Sequence, residues 1–309
     1  MTSRPVWPGR MTGIAPLAGS EPVLTTDAAA AVPPRLRPVE YLVLSYLGLV
    51  TVVAVARAGS HPACWWLVVS HALAVLLVYL VTRPGLGPVG RTIREIFPLI
   101  LLLALYSELD VLNAGGVRVH DALVEHWELA LFGFEPSRDW WQAAPSRFWS
   151  TLLHTAYLSY YLILAVPAVW LVARRDLVAV RRFVLAVMLA FIACYVFFIF
   201  YPVAGPYYTY PRPTGLFVDN APARMVYATL ARGSSYGAAF PSSHVAAALA
   251  ATIAGWQGSR RLGILLAVPT ALLTVSVVYC QMHYAVDALA GLAIGALAAL
   301  AGGLVARSA

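Results

Sequence analysis

The sequence predicts an all-α, polytopic membrane protein: a bundle of about eight transmembrane helices. Of its 309 residues, 61% are hydrophobic and 11% are charged, whereas soluble domains have roughly 45–50% apolar and 25% charged residues. Eight apolar segments also recur along the chain, each close to the ~20 residues that cross the hydrocarbon core of a bilayer. They lie near 39–58, 64–82, 96–113, 148–173, 182–201, 241–258, 262–281 and 284–306.

The segment before the first apolar stretch has a different composition. Residues 1–34 mix Pro, Gly, Ala, Ser and Thr without any periodicity, which predicts a disordered tail. A cleaved signal peptide over 1–58 is the alternative, because Ala56-Arg57-Ala58 resembles a small-residue cleavage site after an apolar run. The region before that run is much longer than a usual signal-peptide leader, so we favour the tail.

The distribution of arginines orients the bundle. All 21 basic residues are arginine, and cytoplasmic loops are enriched in basic residues. With the N-terminus inside, 14 arginines fall on the cytoplasmic side and seven on the other. Both termini are therefore predicted to be cytoplasmic. The long connections 114–147 and 202–240 are predicted to lie outside the cell.

Two polar motifs lie at the outer ends of the last apolar segments. They are Phe240-Pro241-Ser242-Ser243-His244 and His283-Tyr284-Ala285-Val286-Asp287. The i, i+4 spacing places the imidazole of His283 and the carboxylate of Asp287 on one helical face, where the carboxylate would orient the ring. The alternative is a histidine that caps the helix and an aspartate that a neighbour satisfies. Ser242 and Ser243 are predicted to cap the helix at His244 and to offer an anion site.

The polar residues of other segments receive structural interpretations. The stretch 117–134 predicts an interfacial amphipathic helix, with Leu123, Trp127, Leu131 and Phe134 opposite Asp121, Glu125 and Glu128. Glu108 and Asp110 end the third apolar segment, where they mark the water boundary or line an entrance. No chemistry is assigned to His61, His71 and His154, because none has an acid partner at a useful spacing.

The two histidine motifs resemble the second and third motifs of the phosphatidic acid phosphatase type 2 superfamily. Those motifs are commonly Pro-Ser-Gly-His and Ser-Arg-x5-His-x3-Asp, and Pro241 to His244 and Ser276 to Asp287 are similar to them. Among its branches, the chain most resembles the inositol phosphorylceramide synthases (inositolphosphotransferase-like proteins). The resemblance covers 96–306 and implies that this region is a catalytic membrane domain with a six-helix core. Residues 35–95 are then two additional N-terminal transmembrane helices.

The resemblance implies a lipid phosphatase or phosphotransferase of the plasma membrane that needs no metal or other cofactor. His283 would be the nucleophile, and Asp287 would orient it. His244 would protonate the leaving oxygen and then activate water or an alcohol. The predicted partners are the bilayer and a membrane lipid substrate. Nucleic acid is not predicted, because the arginines are scattered between apolar segments, and nothing in the sequence predicts a protein partner.

The chain also departs from the family motifs, chiefly by the loss of two cations. Gly205 stands where the first motif has lysine, and Val277 stands where the third has arginine. Arg212 matches the end of the first motif, so it is predicted to bind the phosphate together with Ser242 and Ser243, with Arg224 and Arg232 as alternatives. These losses leave open a catalytically silent lipid-binding or transport protein of the same fold. Hydrolysis and headgroup transfer also both stay open; a diester carries less charge, which favours transfer slightly.

Overall fold

The computed structural model describes residues 36–114 and 116–308; the predicted tail over 1–34 lies outside the described residues. In this part of the chain the prediction of an all-α bundle is confirmed, without any strand. The first helices are α1 (Pro38–Arg57), α2 (Cys64–Thr82), α3 (Pro88–Leu112), α4 (Asp121–Phe132), α5 (Pro136–Ala143), α6 (Arg147–Leu158) and α7 (Tyr160–Ala173). The others are α8 (Leu177–Phe200), α9 (Pro206–Thr209), α10 (Ala221–Gly233), α11 (Ser243–Gly258), α12 (Arg260–Tyr279) and α13 (Ala285–Ser308), with a 3₁₀ turn at Gly215–Phe217.

All eight predicted apolar segments are helical, but they are not equally suited to cross a bilayer. Among the described residues, six spans are long and apolar enough: α1, α2, α6 with α7, α8, α12 and α13. Helix α11 has 16 residues, and α3 carries several charged side chains. The domain boundary predicted after residue 95 stays a prediction; that position lies inside α3, which begins at Pro88. We refer to α1 and α2, the two helices that precede α3, as the accessory helices.

Local sequence explains where several helices begin. A side chain at the N-cap position accepts a hydrogen bond from a backbone amide of the first turn, which satisfies one of the donors that a helix start leaves unpaired. The four residues that do so are Ser146 for α6, Asp176 for α8, Asn220 for α10 and Ser242 for α11. The predicted capping by Ser242 is confirmed.

Small residues allow the central helices to approach closely. Helices α8, α11 and α13 all pack against one another, and the buried face of α11 is rich in alanine, including Ala246, Ala250 and Ala254. A Cβ at Gly291 would lie 2.6 Å from the carbonyl oxygen of Ser242, and one at Gly295 would lie 2.5 Å from that of Ala246. The backbones of α11 and α13 are therefore in direct contact, as small residues permit in membrane bundles.

Ion pairs and caps tie the accessory helices to the rest of the bundle. At one end, Arg57 of α1 donates to the carbonyl oxygens of Leu112 and Ile199, in the last turns of α3 and α8. At the other end, Glu95 of α3 lies 2.7 Å from Arg37 and 3.0 Å from Arg181. Glu95, one of the charges that make α3 less apolar, is thus paired with two arginines of neighbouring segments.

The accessory helices also contain a buried polar contact that the sequence interpretation missed. His71 Nε2 of α2 lies 3.0 Å from Glu108 Oε1 of α3, and His71 Nδ1 lies 2.6 Å from the hydroxyl of Thr51 in α1. Both His71 and Glu108 are buried. The statement that His71 has no acid partner was therefore wrong, and Glu108 is not a boundary residue in contact with water.

Candidate active site

His283 lies in the short turn between α12 and α13. Its Nδ1 is 2.9 Å from the carbonyl oxygen of Ala239 and 3.3 Å from Oδ2 of Asp287. Because a carbonyl oxygen only accepts hydrogen bonds, Nδ1 must carry the proton, which leaves the lone pair on Nε2. Burial lowers the pKa of His283 to about 4, although the bond to Ala239 acts in the opposite direction. The ring is therefore neutral near pH 7.

Asp287 contributes to this turn in two ways. Its Oδ2 accepts a hydrogen bond of 2.9 Å from the amide of Tyr284, which is shorter than the contact with His283. Because α13 begins at Ala285, His283 precedes the helix, so the predicted pair within one helix is in fact a contact between a turn and the first helical turn. The carboxylate of Asp287 thus binds the backbone amide of Tyr284 and also faces the imidazole of His283.

Helix α11 brings His244 to the same place. His244 is the second residue of α11, and its ring centroid lies 5.8 Å from that of His283. Its Nε2 is 3.3 Å from the hydroxyl of Tyr157, and the ring of Tyr160 packs 4.5 Å away. The amide of Ser242 donates to the carbonyl oxygen of Asp287 at 3.0 Å. The structure therefore brings the two histidines and the carboxylate together.

A cavity of about 240 Å³ begins beside His244. Its walls are mostly aromatic and aliphatic, and no arginine is among the described residues that line it. Two lining residues, Leu103 and Tyr161, are 76% and 57% exposed on the outside of the bundle. The cavity therefore extends from the candidate site to an apolar outer surface. Further lining residues are Tyr106, Tyr157, Tyr160 and Ser243.

The arginines predicted to bind phosphate lie elsewhere. Arg212 and Arg224 line a second cavity of about 520 Å³. The guanidinium of Arg212 lies 4.6 Å from the ring centre of Tyr207, and Arg224 pairs with Asp219 at 3.3 Å. The structure does not bring either arginine into the cavity of His244. The side chain of Arg232 is outside the described part of the chain.

The two positions where the resemblance predicts cations are both closely packed. Gly205 has a φ of 88°, and a Cβ there would lie 2.7 Å from that of Ala239. A lysine would therefore be strained and would collide with the residue that holds His283. Val277 is fully buried, and its carbonyl oxygen accepts the amide of His283.

Helix α4 lies against this site with its acidic face inward. Asp121 accepts hydrogen bonds from the amides of Ala204 and Gly205, at 2.8 and 2.7 Å. The hydroxyl of Tyr284 lies 3.1 Å from Asp121 and 3.0 Å from Glu125, so its single proton is shared between the two carboxylates. The sequence predicted an interfacial amphipathic helix, and this position at the interface stays a prediction. The predicted apolar face, from Leu123 to Leu131, is exposed, whereas Asp121 on the opposite face is buried.

Comparison with known families agrees with this geometry. The family model described as the PAP2 superfamily matches residues 122–301, which is more than half of the chain. The chain belongs to the PAP2 superfamily. The matched region contains both histidine motifs and begins at α4, later than the predicted start at 96. No curated protein and no solved structure matches the chain. Membership in the PAP2 superfamily indicates phosphatase or phosphotransferase activity on lipid phosphates.

Proposed function

We propose that this PAP2 protein cleaves a phosphate ester of a membrane lipid through a covalent phosphohistidine. The observation that carries the proposal is the pairing of His283 and His244, with ring centroids 5.8 Å apart. Nε2 of His283 attacks phosphorus, and the bond between phosphorus and the leaving oxygen breaks. His244, protonated when the anionic phosphate is bound beside it, gives that oxygen a proton, as general acid catalysis requires. Water or a lipid alcohol then breaks the phosphorus–nitrogen bond and returns a proton to His244.

Asp287 supports the nucleophile in this scheme. The carboxylate lies on the Nδ1 side of His283, so it favours the tautomer whose Nε2 is free and stabilises positive charge that develops on the ring. The carbonyl oxygen of Ala239 favours the same tautomer. His283, Asp287 and His244 therefore have the roles of nucleophile, orienting group and proton donor.

We propose that the phosphate is held mainly by the N-terminus of α11. The amides of Ser243 and His244 donate to no described residue, and the start of a helix favours anions. Ser243 also lines the cavity beside His244. Arg212, Arg224 and Arg232 are further candidates, which would require movement of the loop 202–240.

The cavity favours a lipid as the substrate. It joins His244 to the exposed side chains of Leu103 and Tyr161, so an acyl or prenyl chain can lie along its apolar wall. A diester carries less negative charge than a monoester, so a cavity that no described arginine lines favours transfer of a phospho-headgroup to a lipid alcohol. Transfer of the inositol phosphorylceramide synthase type is one version of this proposal. Hydrolysis of a polyprenyl phosphate, polyprenyl diphosphate or phosphatidate is the other.

The test is a substrate screen with purified protein in lipid vesicles. Phosphate release is measured from lipid mono- and diphosphates, and headgroup exchange from phospholipid plus a lipid alcohol. We expect one class to react and His283→Ala to lower its turnover at least about 10³-fold. His126→Ala, which changes an exposed histidine of α4, is the matched control and is expected to keep full activity. An inactive wild type, or an active His283→Ala, would instead indicate a silent lipid-binding or transport protein.

We also propose that the site faces the extracytoplasmic side of the plasma membrane and that both termini are cytoplasmic. Cys64, Cys194 and Cys280 are buried, so a cysteine introduced at an exposed position gives a low-background label. Arg147→Cys is expected to react with a membrane-impermeant maleimide in intact cells. Arg261→Cys is expected to react only after lysis. The reverse pattern would invert the orientation.

A further inference from the structure

Glu128 is a fully buried carboxylate on the acidic face of α4. Its Oε1 accepts a hydrogen bond of 2.6 Å from the amide of Ala285, and its Oε2 accepts one of 3.2 Å from the hydroxyl of Ser137 in α5. Ala285 is the first residue of α13, so its amide is one of those that a helix start leaves without a partner. Glu128 therefore caps α13 from a different part of the chain.

The capped amide lies two residues after His283. The turn that contains His283 is held from three directions. The carbonyl oxygen of Val277 in α12 accepts the amide of His283 at 2.9 Å. Asp287 accepts the amide of Tyr284, and Glu128 accepts that of Ala285. Because α4 is remote in sequence, Glu128 connects the reacting turn to the outer loops of the protein.

We propose that Glu128 is a positioning residue for phosphoryl transfer: by fixing the start of α13, it sets the direction in which the imidazole of His283 points. This inference rests on the proposed function, in which His283 is the nucleophile. Glu128 touches neither the ring nor the substrate, so it acts through the backbone. Attack on phosphorus requires an in-line approach, and a displacement of about 1 Å can lower a rate about 10²-fold.

The charge state of Glu128 gives this role a measurable signature. Burial raises the pKa of Glu128 to about 7, and the nearby carboxylates of Asp287 and Glu135 act in the same direction. Tyr210 is a further titratable group that interacts with Glu128. An ionised carboxylate forms a stronger hydrogen bond with an amide than a neutral one does. The turn is therefore held more firmly above pH 7 than below it, whereas His283 itself, with a pKa near 4, is neutral throughout this range.

The experiment compares Glu128→Ala and Glu128→Gln with wild-type protein, using the lipid phosphate found in the screen. Alanine removes the acceptor, so kcat is expected to fall about 100-fold while KM changes less than about threefold. Glutamine keeps an acceptor for the amide of Ala285, so kcat is expected to stay within about fivefold. The rise of kcat through pH 7 is expected in the wild type and absent in Glu128→Gln. Glu135→Gln, a matched change of an acid that pairs with Arg138, is expected to keep the wild-type kcat at the optimum pH.

The outcomes separate this inference from the proposed function. If wild type is active and His283→Ala is not, a Glu128→Ala variant with normal kcat per folded molecule overturns the role of Glu128 alone. The role of Glu128 is also overturned if the kcat of Glu128→Gln still rises through pH 7. The folded fraction of each variant is measured by size-exclusion chromatography and thermal unfolding. A loss of activity that is fully explained by a smaller folded fraction also counts against a positioning role. A wild type that converts no lipid phosphate overturns both proposals.

Discussion

Replacing Gly291 by alanine tests whether the contact between α11 and α13 sets the distance between the two histidines. The added Cβ would lie 2.6 Å from the carbonyl oxygen of Ser242 and 3.1 Å from the Cβ of Val245. Real Cβ atoms essentially never come closer than 3.0 Å to another heavy atom. The oxygen belongs to backbone and cannot rotate away, so the helices must separate by about 0.4 Å.

This displacement acts where the active-site residues are held. Ser242 precedes α11 and donates its amide to the carbonyl oxygen of Asp287, so moving it carries His244 away from His283. If a displacement of about 1 Å lowers a rate about 10²-fold, one of about 0.4 Å lowers it roughly sixfold. Forcing extra atoms into a packed interior also destabilises a protein by about 1–3 kcal/mol.

Two measurements check these magnitudes. Thermal unfolding in detergent needs no substrate, and turnover is measured with the lipid found in the screen. Gly303→Ala is the matched control on the same helix, because the nearest atoms to its Cβ belong to the flexible side chain of Gln257, 3.3 Å away. We expect Gly303→Ala to behave like wild type. If Gly291→Ala is equally stable and equally active, the close contact does not position the histidines.

Three further predictions concern stability alone. Because the pKa of Glu128 is raised from 4.5 to about 7, the fold loses stability as pH rises through this window. The unfolding free energy of Glu128→Gln should therefore exceed that of wild type by up to about 3 kcal/mol above pH 7 and by little at pH 4.5. Equal unfolding curves for the two proteins at both pH values would contradict this. Glu108→Leu leaves His71 buried without its acid and should lower the unfolding free energy by about 3 kcal/mol. The double variant with His71→Leu should recover most of this loss in thermal unfolding. Additive losses of the two single variants would argue against a direct interaction of the pair. Arg57→Leu removes two hydrogen bonds to helix ends and should lower the unfolding free energy by about 1–3 kcal/mol, whereas an unchanged midpoint would show that water replaces them.

Features that depend on local sequence could be predicted. Apolar segments of about 20 residues identify the helices, because each segment satisfies its backbone hydrogen bonds internally whatever surrounds it. The convergence of His244 and His283 follows from the same reasoning, because each motif starts a segment on the side that the arginine distribution assigns to the exterior. Ser242 is a recognisable N-cap because its hydroxyl bonds only three residues ahead.

Contacts between distant segments could not be predicted in the same way. The periodicity of α4 shows that Asp121, Glu125 and Glu128 share one face, but it does not show which face is buried. The interpretation as an interfacial helix followed the usual preference of acids for water, and the amides of Ala204, Gly205 and Ala285 reverse that preference. His71 and Glu108 likewise meet across two helices, 37 positions apart in sequence.

The absence of a lysine at position 205, where the resemblance predicts one, is coupled to how the proposed nucleophile is held. Gly205 lies against Ala239, whose carbonyl oxygen fixes the tautomer of His283, and its amide is bound by Asp121. A side chain at 205 would have to displace Ala239, so a substitution that restored the lysine would also loosen the histidine it is meant to assist. Among the described residues, the lack of a cation at position 205 beside the two histidines is therefore a consequence of the packing that orients them. That coupling is a physical reason to seek the substrate first among phosphodiesters, whose lower charge requires fewer cations for binding.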